Sequence, residues 1–278
     1  MKRFICIFFL MTVFLTGCGA TDGKDVQNEK IPDNQRLMVY TAYAEEVYRP
    51  LVNEFEERFG LWVDVRQGGT LELLEELEQE DRTFVGDVFL GGSIILLEER
   101  KDWFDTIEEH SCTPIVLVYN PKLVKNTPPE GWEDLLLPVW KGEIAFADPM
   151  KSGSAYLALN AITKVLPGEE EVLRQQFLEN LDGNYLDFSR DVVREVANGN
   201  FYIGVTLEET ALRSIDAGFD ISVVYPEKEV LLTEGIAILA ESKQKENAAL
   251  FMEFMQSTDV KKYMEEHLYR YIPREVAE

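Results

Sequence analysis

Between residues 36 and 100 the chain alternates three times between a strand pattern and a helix pattern. Leu37-Met38-Val39-Tyr40-Thr41 reads as a strand, and residues 45–59 follow as an amphipathic helix with Val47, Leu51, Phe55 and Phe59 on one face. Gly60 stops that helix as the residue just past its end. Residues 61–65 are the next strand, and residues 70–80 are a helix that turns Leu71, Leu74 and Leu77 inward. Asp87-Val88-Phe89-Leu90 is a buried strand, and Gly91-Gly92-Ser93 opens a helix over 94–100. Parallel neighbours need a crossover of a dozen or more residues, usually helical. The alternation therefore predicts an α/β fold with a mostly parallel, doubly wound sheet.

The pattern continues to the end of the chain. Strands are expected at 113–120, 142–147, 201–206, 221–225 and 235–239. Helices are expected at 132–137, 152–166, 169–181, 191–197, 208–217, 247–256 and 259–267. There is no internal repeat and no low-complexity block. An apolar fraction of 46% is that of a globular chain.

The first residues have a different character. Met1-Lys2-Arg3 precedes an apolar run over 4–15, and Leu15-Thr16-Gly17-Cys18 follows. Two positive charges, a short apolar core and small residues before a cut site make a secretory signal peptide. The run is about a dozen residues, too short to span a ~30 Å hydrocarbon layer. Leu-Thr-Gly-Cys resembles the lipobox of bacterial lipoproteins. That resemblance implies cleavage after residue 17, a lipid on Cys18 and anchoring outside the cytoplasm. Residues 18–35 are polar, with Gly, Asn, Asp and Pro, and read as a flexible tether. Of the three cysteines, Cys6 leaves with the leader and Cys18 carries the lipid, so Cys112 has no intrachain partner. It precedes the apolar run 114–119 and reads as a small buried hydrophobe.

Net charge is −24, and loss of Lys2 and Arg3 makes the chain more acidic still. Nucleic-acid binding rests on Lys and Arg meeting phosphates, so that class of partner is excluded. Catalytic and metal motifs are missing as well. There is no Gly-x-Ser-x-Gly elbow, no phosphate-binding Gly-x4-Gly-Lys-Ser/Thr loop and no His-Glu-x-x-His. His110 and His267 each stand beside a Glu, lack a partner at metal spacing and read as surface residues. No enzyme activity, metal or cofactor is expected.

Small polar residues recur where strands end and helices begin. Thr41 follows the first strand, Gly92-Ser93 the third, Ser152-Gly153-Ser154 opens a helix, and Thr206-Leu207-Glu208 follows another strand. Ser and Thr are ordinary helix caps. A helix start also presents free N–H groups that hold oxyanions without Lys or Arg. Open α/β sheets bind ligands beyond the carboxyl ends of their strands.

These segments resemble the extracellular solute-binding proteins of ABC importers, in the branch of ferric-iron, phosphonate and sugar-phosphate binders. The likeness runs through Val39-Tyr40-Thr41, Gly86-Asp87-Val88-Phe89-Leu90-Gly91-Gly92-Ser93 and Pro114-Ile115-Val116-Leu117-Val118-Tyr119-Asn120. It continues through Trp140-Lys141-Gly142-Glu143-Ile144-Ala145-Phe146-Ala147-Asp148-Pro149, Ser152-Gly153-Ser154-Ala155-Tyr156 and Gly204-Val205-Thr206-Leu207-Glu208, and ends at Gly235-Ile236-Ala237-Ile238. The resemblance implies a two-lobed periplasmic-binding-protein-like fold of type II, with a hinge of two crossing strands at 113–120 and 235–239. Lobe one would be 36–112 plus 235–278, and lobe two 113–234. Thr41, Gly92 and Ser93 would line one wall of the cleft, and Ser152, Gly153, Ser154 and Glu208 the other. The partners implied are a small solute and a membrane ABC permease, or a sensor histidine kinase, with the protein itself a monomer.

Ferric-iron binders of this branch supply adjacent tyrosines near the strand at 201–206, where this chain has only Tyr202. The small-residue helix starts suit an oxyanion instead. The expected ligand is a phosphonate or phosphate ester, with Glu208 accepting an ammonium or hydroxyl from its remainder. Ferric iron and a sensing role are the alternatives. Residues 94–112 form a shorter connection than the family has.

Overall fold

The structure, a computed structural model, describes residues 32–79 and 86–273. The expected leader, Cys18 and residues 19–31 of the expected tether lie outside the described residues. Among the described residues no helix is long and apolar enough to cross a membrane.

One mixed sheet organises the chain. Its strands are β1 (Arg36–Thr41), β2 (Trp62–Gln67), β3 (Val88–Ser93), β4 (Phe104–Tyr119), β5 (Ile144–Ala147), β6 (Tyr185–Leu186), β7 (Ile203–Leu207), β8 (Ser222–Val224) and β9 (Val230–Leu239). Their spatial order is β2-β1-β3-β9-β4-β7-β5-β6, and β8 pairs with β4. The helices are α1 (Glu45–Phe59), α2 (Thr70–Glu78), α3 (Ile94–Glu98), α4 (Gly153–Val165), α5 (Glu170–Leu181), α6 (Val192–Ala197), α7 (Glu208–Asp216), α8 (Lys245–Met255) and α9 (Thr258–His267). Residues 132–136 form a 3-10 helix where the sequence reads as a short α-helix.

The expectation of a mostly parallel sheet is corrected. β1 pairs parallel with β2 and β3, and β5 with β6 and β7. At the centre β9 runs antiparallel to β3 and β4, and β4 antiparallel to β7 and β8. The expected hinge strands are both longer than the sequence suggests. β4 begins at Phe104 and β9 at Val230, and they pair from Phe104–Leu239 to Ile115–Val230. The first half of β4, with exposed Asp105, Glu108 and Glu109, carries no apolar run to announce it. This half also takes up the last part of the 94–112 connection that looks short in the sequence, after α3.

The apolar faces collect into separate cores. Val47, Leu51 and Phe55 of α1 pack with Phe251, Met255 and Met264 of α8 and α9 under β1, β3 and the end of β9. Leu73, Leu74 and Leu77 of α2 cover the other face of those strands with Leu96 and Phe104. Trp132, Phe146, Leu159, Ile162 and Phe177 fill a core around β5, β7 and the distal part of β4, and Val192, Val193 and Val196 of α6 cover its opposite face. Each buried Phe or Leu contributes roughly 1.5–3 kcal/mol. Phe59, expected on the core face, sits at its rim at 40% exposure, against Phe55 and Phe254. Cys112 is buried and unpaired.

Candidate functional site

The carboxyl edges of the parallel strands carry the loops that read as ligand-facing. Ser152 caps α4, its Oγ accepting from Ala155 N at 3.3 Å and lying 3.0 Å from Ser154 Oγ. Gly153 is needed at this point because another element comes too close for a larger residue. A Cβ there would lie 3.1 Å from Thr70 Cβ and 3.5 Å from Leu96 Cδ1. A Cβ on Gly69 would lie 3.4 Å from the Lys151 carbonyl. The start of α4 thus meets the start of α2 and the Leu96 side chain of α3. The first turns of α2 and α4 carry the partial positive charge of a helix start.

The remaining expected wall residues are deeper. Thr41 is fully buried; its Oγ1 donates to Leu90 O at 3.0 Å and accepts from Tyr43 N at 3.1 Å. Its carbonyl accepts from Gly68 N at 3.2 Å, so Thr41 supports the Gly68-Gly69-Thr70 loop from behind. Gly92 sits at a β-bulge in the β3–β9 pairing, and Ser93 caps α3 through Leu96 N. Ser93 pairs with Glu234 of β9. The structure brings Gly153 against Thr70 and the Leu96 side chain and keeps Thr41 in the supporting layer.

Glu208 opens α7, which follows β7, and β7 lies parallel to β5, the strand that leads to α4. Parallel neighbours about 5 Å apart place both helix starts on the same edge. The Glu208 side chain is buried, and its Oε2 has no hydrogen-bond partner. The phenols of Tyr225 and Tyr271 lie beside Glu208, and partial burial together with that carboxylate pushes each up to about 12. Both rings remain well exposed, so the cluster opens to solvent. A carboxylate only accepts, so the free Oε2 has room for a further donor.

Beside this cluster lies a buried ionic network that the sequence does not announce. Arg270 is 2% exposed, pairs with Glu209 at 3.2 Å and with Glu234, and lies 4.2 Å over the Tyr43 ring. Ser111 Oγ donates to Glu234 at 2.9 Å, so the Tyr43 hydroxyl donates to Ser111 at 2.7 Å. Burial works against the Arg270 charge, yet Glu209 and Glu234 hold it above its ordinary range. Burial pushes the Glu234 carboxyl up to about 7 against the pull of Arg270.

The expectation of a surface His110 is corrected: the ring is fully buried, next to Tyr43, with both nitrogens unpartnered. Burial and the Arg270 charge push it down to about 3, so it is neutral. His267 is exposed. Among the described residues no group of three His, Cys, Asp or Glu side chains could hold a metal.

Comparison with known proteins agrees with this architecture. The Fe(3+)-binding periplasmic protein of Serratia marcescens is 28% identical over 162 residues, 50% of this chain and 47% of the relative. A solved structure described as a two-component system protein that mediates signal transduction superposes with TM-score 0.75 at 27% identity, covering 87% of this chain and 88% of that one. The periplasmic binding protein AfuA of Actinobacillus pleuropneumoniae, with fructose-6-phosphate bound, superposes with TM-score 0.75 at 19% identity over 85% of this chain and 84% of its own. The fold is therefore the two-lobed periplasmic-binding-protein fold. The family described as bacterial extracellular solute-binding proteins matches residues 37–270, and this chain belongs to it.

Proposed function

We propose that this protein captures a small phosphorylated solute, a phosphate ester or phosphonate, and presents it to an ABC permease. Members of the family are binding proteins that deliver a solute to such a permease, and what is specific to this chain is the ligand. The single observation that carries the reading is the unpartnered, buried Oε2 of Glu208 on the strand edge it shares with the start of α4. The phosphoryl group would sit at the N–H groups and hydroxyls of Ser152 and Ser154, across from Thr70. A hydroxyl or ammonium from the rest of the ligand would donate to Glu208, between Tyr225 and Tyr271. Net charge of −24 opposes an anion at long range, but screening within about 8 Å at physiological salt confines that penalty. The likeness to AfuA supports the same chemistry.

The lobe boundaries that go with this reading are 36–112 with 235–278, and 113–234. The chain would be a monomer, held outside the membrane by the lipid on Cys18. The test is calorimetric titration of the Glu208→Gln variant. Affinity for a hexose 6-phosphate should fall about tenfold or more while affinity for inorganic phosphate stays unchanged. Equal loss for both, or none, contradicts the assignment.

A second reading rests on the same cluster. Two phenols beside one carboxylate are hard oxygen donors of the kind ferric iron takes. They are Tyr225 and Tyr271, far apart in sequence, and not the adjacent pair the sequence lacks. The likeness to the Serratia marcescens protein supports this reading, as the likeness to the two-component system protein supports a sensing partner.

A further inference from the structure

The last described residues form a strap across α7. α9 packs Val260 and Met264 into the core under β1 and β9. The chain then leaves that core, with Tyr269 in the left-handed region at φ 53°. Tyr269 donates to Asp216 Oδ2 at 2.8 Å, at the far end of α7. Arg270 pairs with Glu209 in the first turn of α7. Tyr271 exchanges backbone hydrogen bonds with Cys112 of β4 at 2.7 and 2.8 Å, and its phenol lies beside Glu208. Three successive residues thus hold both ends of one helix.

We propose that Arg270 is a positioning residue for the ligand wall: by joining Glu209 to Glu234 it fastens the first turn of α7, and with it Glu208, to β9. The chemistry favours a bridge over mere filling. A guanidinium presents five donors in a rigid fork, which suits two carboxylates from different elements, and a lysine cannot reproduce it. Neither carboxylate has an alternative cation that would do the same work. Glu209 also meets Arg213, at 2.9 Å, but that arginine belongs to α7 itself and ties the helix to nothing else. Ser111 meets Glu234 as a neutral donor. Arg270 is therefore the one cation, among the described residues, that links α7 to the β9 side. The consequence for capture rests on the reading of Glu208 given above; the bridge itself does not.

The test is amide hydrogen exchange on the full chain carrying Arg270→Lys. Amides 211–214 bond back to the first turn of α7 and report on its opening. They should exchange about tenfold faster, while amides of α1 and α8 keep their rates. Unchanged exchange in α7 overturns the proposal, and so does a uniform rise in every helix, which would make Arg270 a general support. If Arg270→Lys fails to fold, Glu209→Gln breaks the same bridge and leaves the Arg270–Glu234 pair in place. It should loosen amides 211–214 in the same way, and no change there overturns the proposal. Binding of inorganic phosphate and a hexose 6-phosphate to the unaltered protein is read separately. If neither binds, the ligand assignment fails while the exchange result stands.

Discussion

At the scale of single residues the molecule turns on a few buried polar groups with few partners. Fully buried Glu and Arg are rare unless paired. Here the Arg270 fork pairs with Glu209 and Glu234, while Arg270 Nε, Glu208 Oε2 and both His110 nitrogens keep no hydrogen-bond partner. Glu208 lies beside the exposed rings of Tyr225 and Tyr271, whereas His110 is closed in on every side. Ser154→Asp places a negative charge where the oxyanion would sit, and phosphate-ester binding should be lost beyond detection by calorimetry; retained affinity would remove Ser154 from the site. Glu234 and His110 make opposite contributions to acid stability. The Glu234 carboxyl is raised to about 7, so between about pH 4.5 and 7 the folded form holds a proton that the unfolded form has released. That contribution is present at low pH and lost as pH rises toward 7. His110 is lowered to about 3, so its contribution is present above about 6.5 and lost as pH falls. Between about pH 4.5 and 6.5 the two slopes offset. Glu234→Gln leaves the histidine slope alone, and denaturant unfolding should then show stability falling more steeply from pH 6.5 to 4.5 than in the unaltered protein. Parallel profiles would mean that Glu234 is charged throughout.

At the scale of elements, the starts of helices do the positioning. Ser152→Ala removes the cap of α4 and should cost about 1 kcal/mol, a fall of roughly 2–4 °C in Tm. Gly153→Val should act differently. A side chain at Gly153 runs into Thr70, so the variant should hold α4 away from α2 and weaken ligand capture about tenfold with little loss of Tm, as read by calorimetry beside thermal unfolding. Much of this level is legible in the sequence. Strong periodicity in α1 and α2, and the small polar residues at 92–93, 152–154 and 206–208, mark strand-to-helix turns directly. The mixed sheet is not legible, because β4 begins in a polar stretch and periodicity says nothing about strand direction. The Arg270 bridge is not legible either. Its partners lie in α7 and β9, and the short Tyr269-Arg270-Tyr271 segment resembles any polar exit from a last helix. Tyr225 and Tyr271 escape notice for the same reason, since chain distance hides their meeting at Glu208. His110 is misread because its sequence neighbours are polar, while its spatial neighbours are Tyr43 and Arg270.

At the scale of the whole molecule, separate cores share two long central strands, β4 and β9, and the candidate cleft lies beside them. Such an arrangement permits rigid-body closure around a solute. The anchor is tested on the full chain in cells: Cys18→Ser should move the protein from the membrane fraction to the medium, and retention in the membrane would contradict the lipid on Cys18. The central claim is the chemistry of the captured solute. Its most direct test is thermal unfolding of residues 19–278 with inorganic phosphate, 2-aminoethylphosphonate, hexose phosphates, glycerol phosphates and ferric citrate in parallel. A ligand at about 100 times its Kd adds roughly 2.7 kcal/mol, which raises Tm by roughly 5–10 °C for a chain of this size. A phosphate ester or phosphonate should give such a rise and ferric citrate none. A rise with ferric citrate alone would contradict capture of a phosphorylated solute and assign Glu208, Tyr225 and Tyr271 to iron.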